Sequence, residues 1–191
     1  MPRGRSFRIE QSRGCWSMRD AIFTIGHSTH SAEVFGKLLK QHAVVQIADV
    51  RLIPKSSRHP HFARERLAPF LRERGVEYRH FPDLGGHRRP RADSINTAWR
   101  VEAFQGYADH MRTDGFRTGI EALLTFSVTG RTAVMCAEAV WWQCHRRLLA
   151  DALLVRGVPV LHIFPSAGPK PHELSEFARE LDGEVIYPGL L

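Results

Sequence analysis

The chain has 191 residues, 43% hydrophobic and 25% charged, which fits one globular domain, or one with a short extension, and excludes a disordered polymer. No apolar run approaches the ~20 residues that cross a bilayer, so a membrane-spanning helix is not expected. The formal net charge of +7 favours anionic partners, either an anionic small molecule such as a nucleotide or nucleic acid.

The first segment, MPRGRSFRIEQSRGCWSMRD, is basic and lacks the continuous apolar core of a secretory signal. Residues 1–20 are expected to be a disordered extension with Met18 as the natural start, leaving 21–191 as a single α/β domain. Three cysteines do not make a disulfide framework. Cys15 falls in the extension, and Cys136 and Cys144 are expected as free thiols in a reducing, cytoplasmic setting.

Past the extension, strands and helices alternate. AIFTIGHS (Ala21–Ser28) is a β-branched and aromatic run ending near glycine, a buried strand. Ser31 is placed to cap a helix, AEVFGKLLKQH, with Val34, Phe35, Leu38 and Leu39 on one face. AVVQIADVR (Ala43–Arg51) is a second strand, followed by the basic loop LIPKSSRHPHF. ARERLAPFLRERG is a helix stopped at Gly75. VEYRHFPDL (Val76–Leu84) is a third strand leading into Gly85-Gly86. After the polar stretch HRRPRADSINTAWR come two helices, VEAFQGYADHM and GFRTGIEALLTFSV, separated near Thr113–Gly115. RTAVMCAE is the fourth strand, QCHRRLLADALLVRG a helix and VPVLHIF the fifth strand. HELSEFARELDG is expected to be a last helix and EVIYP an edge strand.

This alternation predicts an α/β fold: a mostly parallel sheet of about five strands with helices on both faces. Such sheets bind ligands beyond the carboxyl ends of their strands. The polar residues there are Gly26, His27 and Ser28, then Asp49 and Arg51, then Asp83, Gly85 and Gly86, then Cys136 and Glu138. They are expected to meet on one edge.

The motifs TIGHS, DVR, LGG and CAEAVWWQCHRRLLADAL occur in that order, and together the chain resembles the bacterial and archaeal family called domain of unknown function 488. The resemblance runs from about Ile22 to the carboxyl-terminal YP. It implies an α/β fold and a pocket shared by those motifs, and it implies no reaction.

The residues themselves suggest four chemistries. Cys144 and His145 open a helix, where backbone N–H groups attract anions, and Arg51, Arg146, Ser28 and the Gly85-Gly86 turn are candidates to hold one. The alternative is that these arginines face solvent or pair with Asp151 and Glu138, and that Asp49 and Arg51 form an internal ion pair. A thiol at a helix start beside histidine has a lowered pKa, which makes Cys144 a candidate nucleophile. A phosphatase loop is excluded, because Trp142 stands where its arginine would follow Cys136. No metal site is required. Zinc at Cys136, Cys144 and His145 is the minority alternative, since adjacent helical residues diverge by about 100°. Carboxylates supply the last option: Glu138 or Asp49 activates water, with His27 or His145 as a second acid or base. Of the adjacent tryptophans, one is expected in the core, and Trp142 is the candidate to stack on a base.

The leading expectation is an enzyme, hydrolytic in character, acting on a nucleotide or nucleic-acid-like phosphorylated substrate. The competing classes are a non-catalytic nucleic-acid-binding module, with loops Lys55–Arg64 and His87–Arg100 tracking phosphates, and a thiol- or zinc-dependent redox protein. No cofactor, membrane partner or oligomeric state is implied.

Overall fold

A computed structural model describes residues 20–189, so Cys15 and Met18 lie outside the described residues. Five parallel strands and one antiparallel edge strand form a single sheet in the order β3-β2-β4-β1-β5-β6. The strands are β1 (Ile22–Gly26), β2 (Gln46–Asp49), β3 (Glu77–His80), β4 (Thr132–Cys136), β5 (Val160–Phe164) and β6 (Ala167–Pro171). The two central strands, IFTIG and TAVMC, are buried at every position, as expected for parallel strands covered on both faces. Their register pairs Gly26 with Cys136, and Asp49 pairs with Met135 on the other side of β4.

Helices cover both faces. On one, α1 (Ala32–Gln41) and α2 (Arg64–Arg72) pack Phe35, Leu38, Leu67 and Leu71 against Phe23, Ile25, Ile47 and Met135. On the other, α3 (Glu102–His110), α4 (Asp114–Ser127) and α5 (Arg146–Val155) pack Tyr107, Phe116, Leu148 and Leu149 against Ile22, Ala48 and Val134. Ser31 caps α1 as expected, its hydroxyl accepting from the Val34 N–H. Val34 does not join the core stripe. It lies about 100° round the helix from Phe35 and is 42% exposed. Gly75 follows α2 with φ +72°, a left-handed turn that glycine takes without strain.

The carboxyl-terminal helix expected from HELSEFARELDG does not form. Residues 172–178 run irregularly across α5 and lead into a hairpin of β7 (Arg179–Leu181) and β8 (Glu184–Ile186) in a separate two-stranded sheet. The physical cause is Asp151, buried in α5. Its carboxylate accepts from the Ser175 N–H and hydroxyl, from Tyr187 Oη and from His172 Nε2. A helix would withdraw Ser175 and His172 from that buried carboxylate and leave it the Tyr187 hydroxyl alone of these donors, a cost larger than any helix propensity in the segment.

The chain leaves β1 and β2 toward the face carrying α1 and α2, but leaves β4 toward the face carrying α5. Between β4 and its two neighbours the connections therefore diverge, which opens a crevice at the carboxyl ends of these three strands.

Candidate functional site

The crevice is a cavity of about 750 Å³. Its wall takes His27 and Ser28 from the end of β1, Arg51 from the end of β2, Cys136 and Glu138 from the end of β4, and Cys144 and His145 from the start of α5. The convergence expected from the alternation of strands and helices is therefore present for these residues. Gly86 also lines the cavity; Gly85, Asp49, Asp83, Arg146 and Trp142 do not. Another hollow, about 620 Å³ between α1 and the segments entering β2 and β3, lies at the opposite end of the sheet and draws on no other strand end.

The backbone frame is rigid where β1 and β4 end. His27 N–H donates to the Cys136 carbonyl and Ser28 N–H to the Ala137 carbonyl, both at 3.0 Å, so the pairing continues past the strands. Gly26 is required by contact: a Cβ there would stand 1.8 Å from the Glu138 carbonyl oxygen. Ser28 turns the chain with φ +48°.

Asp49 is 0% exposed and faces away from the cavity. Its carboxylate accepts from the Arg51 guanidinium (Nε to Oδ1, 2.9 Å), from the Arg51 N–H and from Tyr78 Oη at 2.6 Å. Burial and the neighbouring Asp49 charge push the Tyr78 hydroxyl up, so it stays a donor. A carboxylate so occupied has no lone pair turned toward a cavity water, so the two-residue DVR spacing serves to order the loop. Arg51 Nη1 donates onward to the Phe62 carbonyl at 2.9 Å and lies 3.5 Å from His27 Nε2. His27 stacks on the Phe62 ring with centroids 4.1 Å apart. Burial lowers its pKa to about 4, against the hydrogen bond to the Ser28 carbonyl, so it is a neutral imidazole near pH 7 and stores no proton to donate.

Gly85 and Gly86 act by leaving room. A Cβ on Gly85 would meet the Leu52 backbone at 2.9 Å, and one on Gly86 would meet His145 Nδ1 at 2.7 Å. The Gly85 N–H donates to the Pro82 carbonyl and is not directed at a ligand. Arg146, expected to hold an anion, is 1% exposed and donates from Nη2 to the Glu138 carbonyl at 2.6 Å. It fixes the Glu138 loop from beneath. Trp141 stacks on His162 with centroids 4.0 Å apart, while Trp142 is 44% exposed and points away from the cavity toward Phe164.

Cys144 and His145 meet in spite of being adjacent. The 100° divergence applies to helical neighbours, but Cys144 is extended (φ −131°, ψ 153°) and the helix starts after it. Its Sγ therefore lies 3.5 Å from His145 Nδ1 and 2.8 Å from Cys136 Sγ. Burial pushes the Cys136 thiol well up. Burial also opposes ionisation of Cys144, yet the hydrogen bond from Cys136, the neighbouring His145 and the Arg146 charge outweigh it and hold that thiol well below its ordinary value. Among the described residues no group of three or more histidine, cysteine, aspartate or glutamate side chains is arranged to hold a metal ion. No helix among them is long and apolar enough to cross a membrane.

Lys55, Arg58 and His59 form one side of the rim. They belong to the basic loop that the nucleic-acid-binding reading assigns to phosphates and are not among the candidate site residues of the enzyme reading, although loops after strands of such a sheet face the ligand edge.

A family model described as Domain of unknown function DUF488 matches residues 31–153. No curated protein and no solved structure matches the chain.

Proposed function

The chain belongs to the DUF488 family, and from the chemistry of its cavity we propose that it is an enzyme, hydrolytic in character, acting on a nucleotide or a nucleic-acid-like phosphorylated substrate. The observation that carries this reading is the charge of the cavity wall. Lys55 and Arg58 stand exposed on the rim, the Arg51 charge behind them being taken by Asp49, and among the described residues Glu138 is the one carboxylate that lines the cavity. A pocket of one dominant sign, bounded by low-dielectric walls, concentrates ligands of the other sign. The substrate's phosphate takes the Lys55–Arg58 side. Glu138, exposed on the opposite wall and held by its own backbone to Arg146, accepts the proton of the attacking water. His27 contributes a neutral hydrogen-bonding face and no proton.

The test uses the full chain titrated with nucleoside 5′-monophosphates, nucleoside triphosphates and single-stranded oligonucleotides, with products analysed by mass spectrometry. The expected result is binding that weakens with salt and release of a hydrolysis product. Glu138→Gln should then abolish turnover and retain binding. Equal turnover in that variant removes Glu138 from the mechanism, and absence of binding by every phosphorylated compound overturns the proposal. Oligonucleotide binding that falls steeply with salt, without chemical change, identifies a nucleic-acid-binding module instead.

A further inference from the structure

The cavity wall holds two thiols, with a guanidinium packed behind them, to which the hydrolytic reading gives no chemical part. Cys136 and Cys144 are both free and buried, with their sulfurs 2.8 Å apart. Beside them Arg146 is enclosed in protein. One of its Nη atoms reaches the Glu138 carbonyl, its Nε finds no acceptor, and the ionisable groups raising its pKa against burial are the two cysteine sulfurs. A cation in a low-dielectric site needs a compensating anion nearby. No carboxylate pairs with Arg146 among the described residues, so the anion has to come from sulfur.

One guanidinium supports one thiolate. Two anions at this separation would repel, so one sulfur ionises and the other donates its proton to it. His145 decides which. Its Nε2 is 3.1 Å from the Val50 carbonyl, which can only accept, so Nε2 carries the hydrogen. Nδ1 is then the ring atom free to take the Cys144 proton, and the N–H so formed faces the Cys144 thiolate at 3.5 Å as a donor. Cys144 also stands next to His145, the N-cap of α5, at the helix end whose dipole favours negative charge. Cys136 is left as the donor.

We propose that Cys144 and Cys136 are a peroxide-reactive dithiol, a second chemical function in the same cavity, independent of phosphate-ester chemistry. The Cys144 thiolate attacks one oxygen of a small hydroperoxide. The S–O bond forms, the O–O bond breaks, and the departing oxygen takes a proton from solvent to leave as alcohol or water. Sulfur has lost two electrons and the peroxide has gained them. Cys136 then attacks the Cys144 sulfenic acid, its proton passing to the departing hydroxide. An S–S bond forms, the S–O bond breaks, and water leaves. Closing the gap to the ~2.05 Å of a disulfide moves each sulfur by a fraction of an ångström. A dithiol reductant resets the pair by thiol–disulfide exchange at Cys144.

The test uses the full chain with Cys15→Ser, reduced and then given hydrogen peroxide. Peroxide consumption, titratable thiol and peptide mass are followed, and nucleotide titrations on the same reduced sample read the hydrolytic proposal separately. The expected result is loss of both thiols per peroxide consumed, a peptide cross-link joining Cys136 to Cys144, and recovery with dithiothreitol. Adding Cys136→Ser should stall the reaction at a sulfenic acid on Cys144 that dimedone captures. Adding Cys144→Ser should abolish peroxide consumption. Arg146→Met should raise the pH midpoint for Cys144 alkylation by more than ~1 unit, and Arg146→Lys should restore most of it. That midpoint keeps the idea falsifiable if a cysteine variant fails to fold. Thiols that survive excess peroxide, or a Cys144→Ser protein that consumes peroxide at the parent rate, would overturn the proposal.

Discussion

Replacing Gly26 with alanine tests whether the cavity is built on backbone contact between β1 and the Glu138 loop. The new Cβ would sit 1.8 Å from the Glu138 carbonyl oxygen, 2.8 Å from its carbon and 3.0 Å from the Ala139 oxygen. Ordinary nonbonded contacts lie near ~3.5 Å, so strand or loop must withdraw by more than an ångström, and the obstacle is backbone with no rotamer to change. Withdrawal stretches the hydrogen bonds from His27 and Ser28 to the Cys136 and Ala137 carbonyls and the one from Arg146 to the Glu138 carbonyl. Overpacking of this kind costs ~1–3 kcal/mol and each of the three weakened hydrogen bonds ~1 kcal/mol, giving a total of about 4–6 kcal/mol. For a chain of this size that lowers the melting temperature by roughly 8–24 °C. Thermal unfolding followed by far-ultraviolet circular dichroism measures it. Gly168→Ala is the control: nothing lies within 4 Å of its added Cβ, so its melting temperature should barely move. A Gly26→Ala protein that melts with the parent would mean that the Glu138 loop does not rest on β1, and the geometry of the cavity wall would fall with it.

Asp49→Asn leaves the Arg51 guanidinium buried beside a neutral amide, and loss of one partner of such a pair costs ~3–5 kcal/mol, readable as a lower urea midpoint with unchanged slope. A loss under ~1 kcal/mol would show that water or another group compensates Arg51. Acid should destabilise the fold through His27 and His162, whose pKa values burial lowers to about 4 and about 3. Protons bind the unfolded form first, so this stability is complete above pH 6.5 and is lost as pH falls toward those values. Between pH 6 and 4.5, His27→Gln should remove about 1.4 kcal/mol per pH unit from the slope of unfolding free energy against pH, and an unchanged slope would mean that His27 is protonated in the folded protein.

What the sequence made legible follows from periodicity. β1 and β4 are continuous apolar runs, α1 carries a buried stripe and α5 is apolar enough to be buried nearly all round, so the parallel core and its ligand edge could be read from the chain. β6 could not. AGPKP has two prolines and no apolar alternation, and it works as a strand only because it is an exposed antiparallel edge. The last hairpin did carry a signal. Asp182 and Gly183 both have positive φ, and Asp-Gly between short runs is a strong mark of a two-residue hairpin turn. Leu174, Phe177, Ala178 and Leu181 at helical spacing obscured it. The approach of Cys136 to Cys144 was hidden for a different reason. It depends on the extended backbone of Cys144 and on Arg146 turning inward, and neither follows from composition.

Two arginines that look alike in sequence as anion ligands are taken up by the protein itself, Arg51 by Asp49 and Arg146 by the Glu138 carbonyl and the sulfurs. Attraction of a phosphorylated ligand therefore falls to Lys55 and Arg58, exposed cations on long side chains, whose pull is screened within about 10 Å at moderate salt. Such groups draw an anion in without orienting it. Orientation has to come from parts held in place by several bonds each: the neutral His27 ring clamped between Phe62 and Arg51, and His145 pinned to the Val50 carbonyl over Gly86. Affinity and positioning are thus carried by different residues, and changing the rim should alter how much ligand binds while the geometry of whatever does bind stays set by the floor.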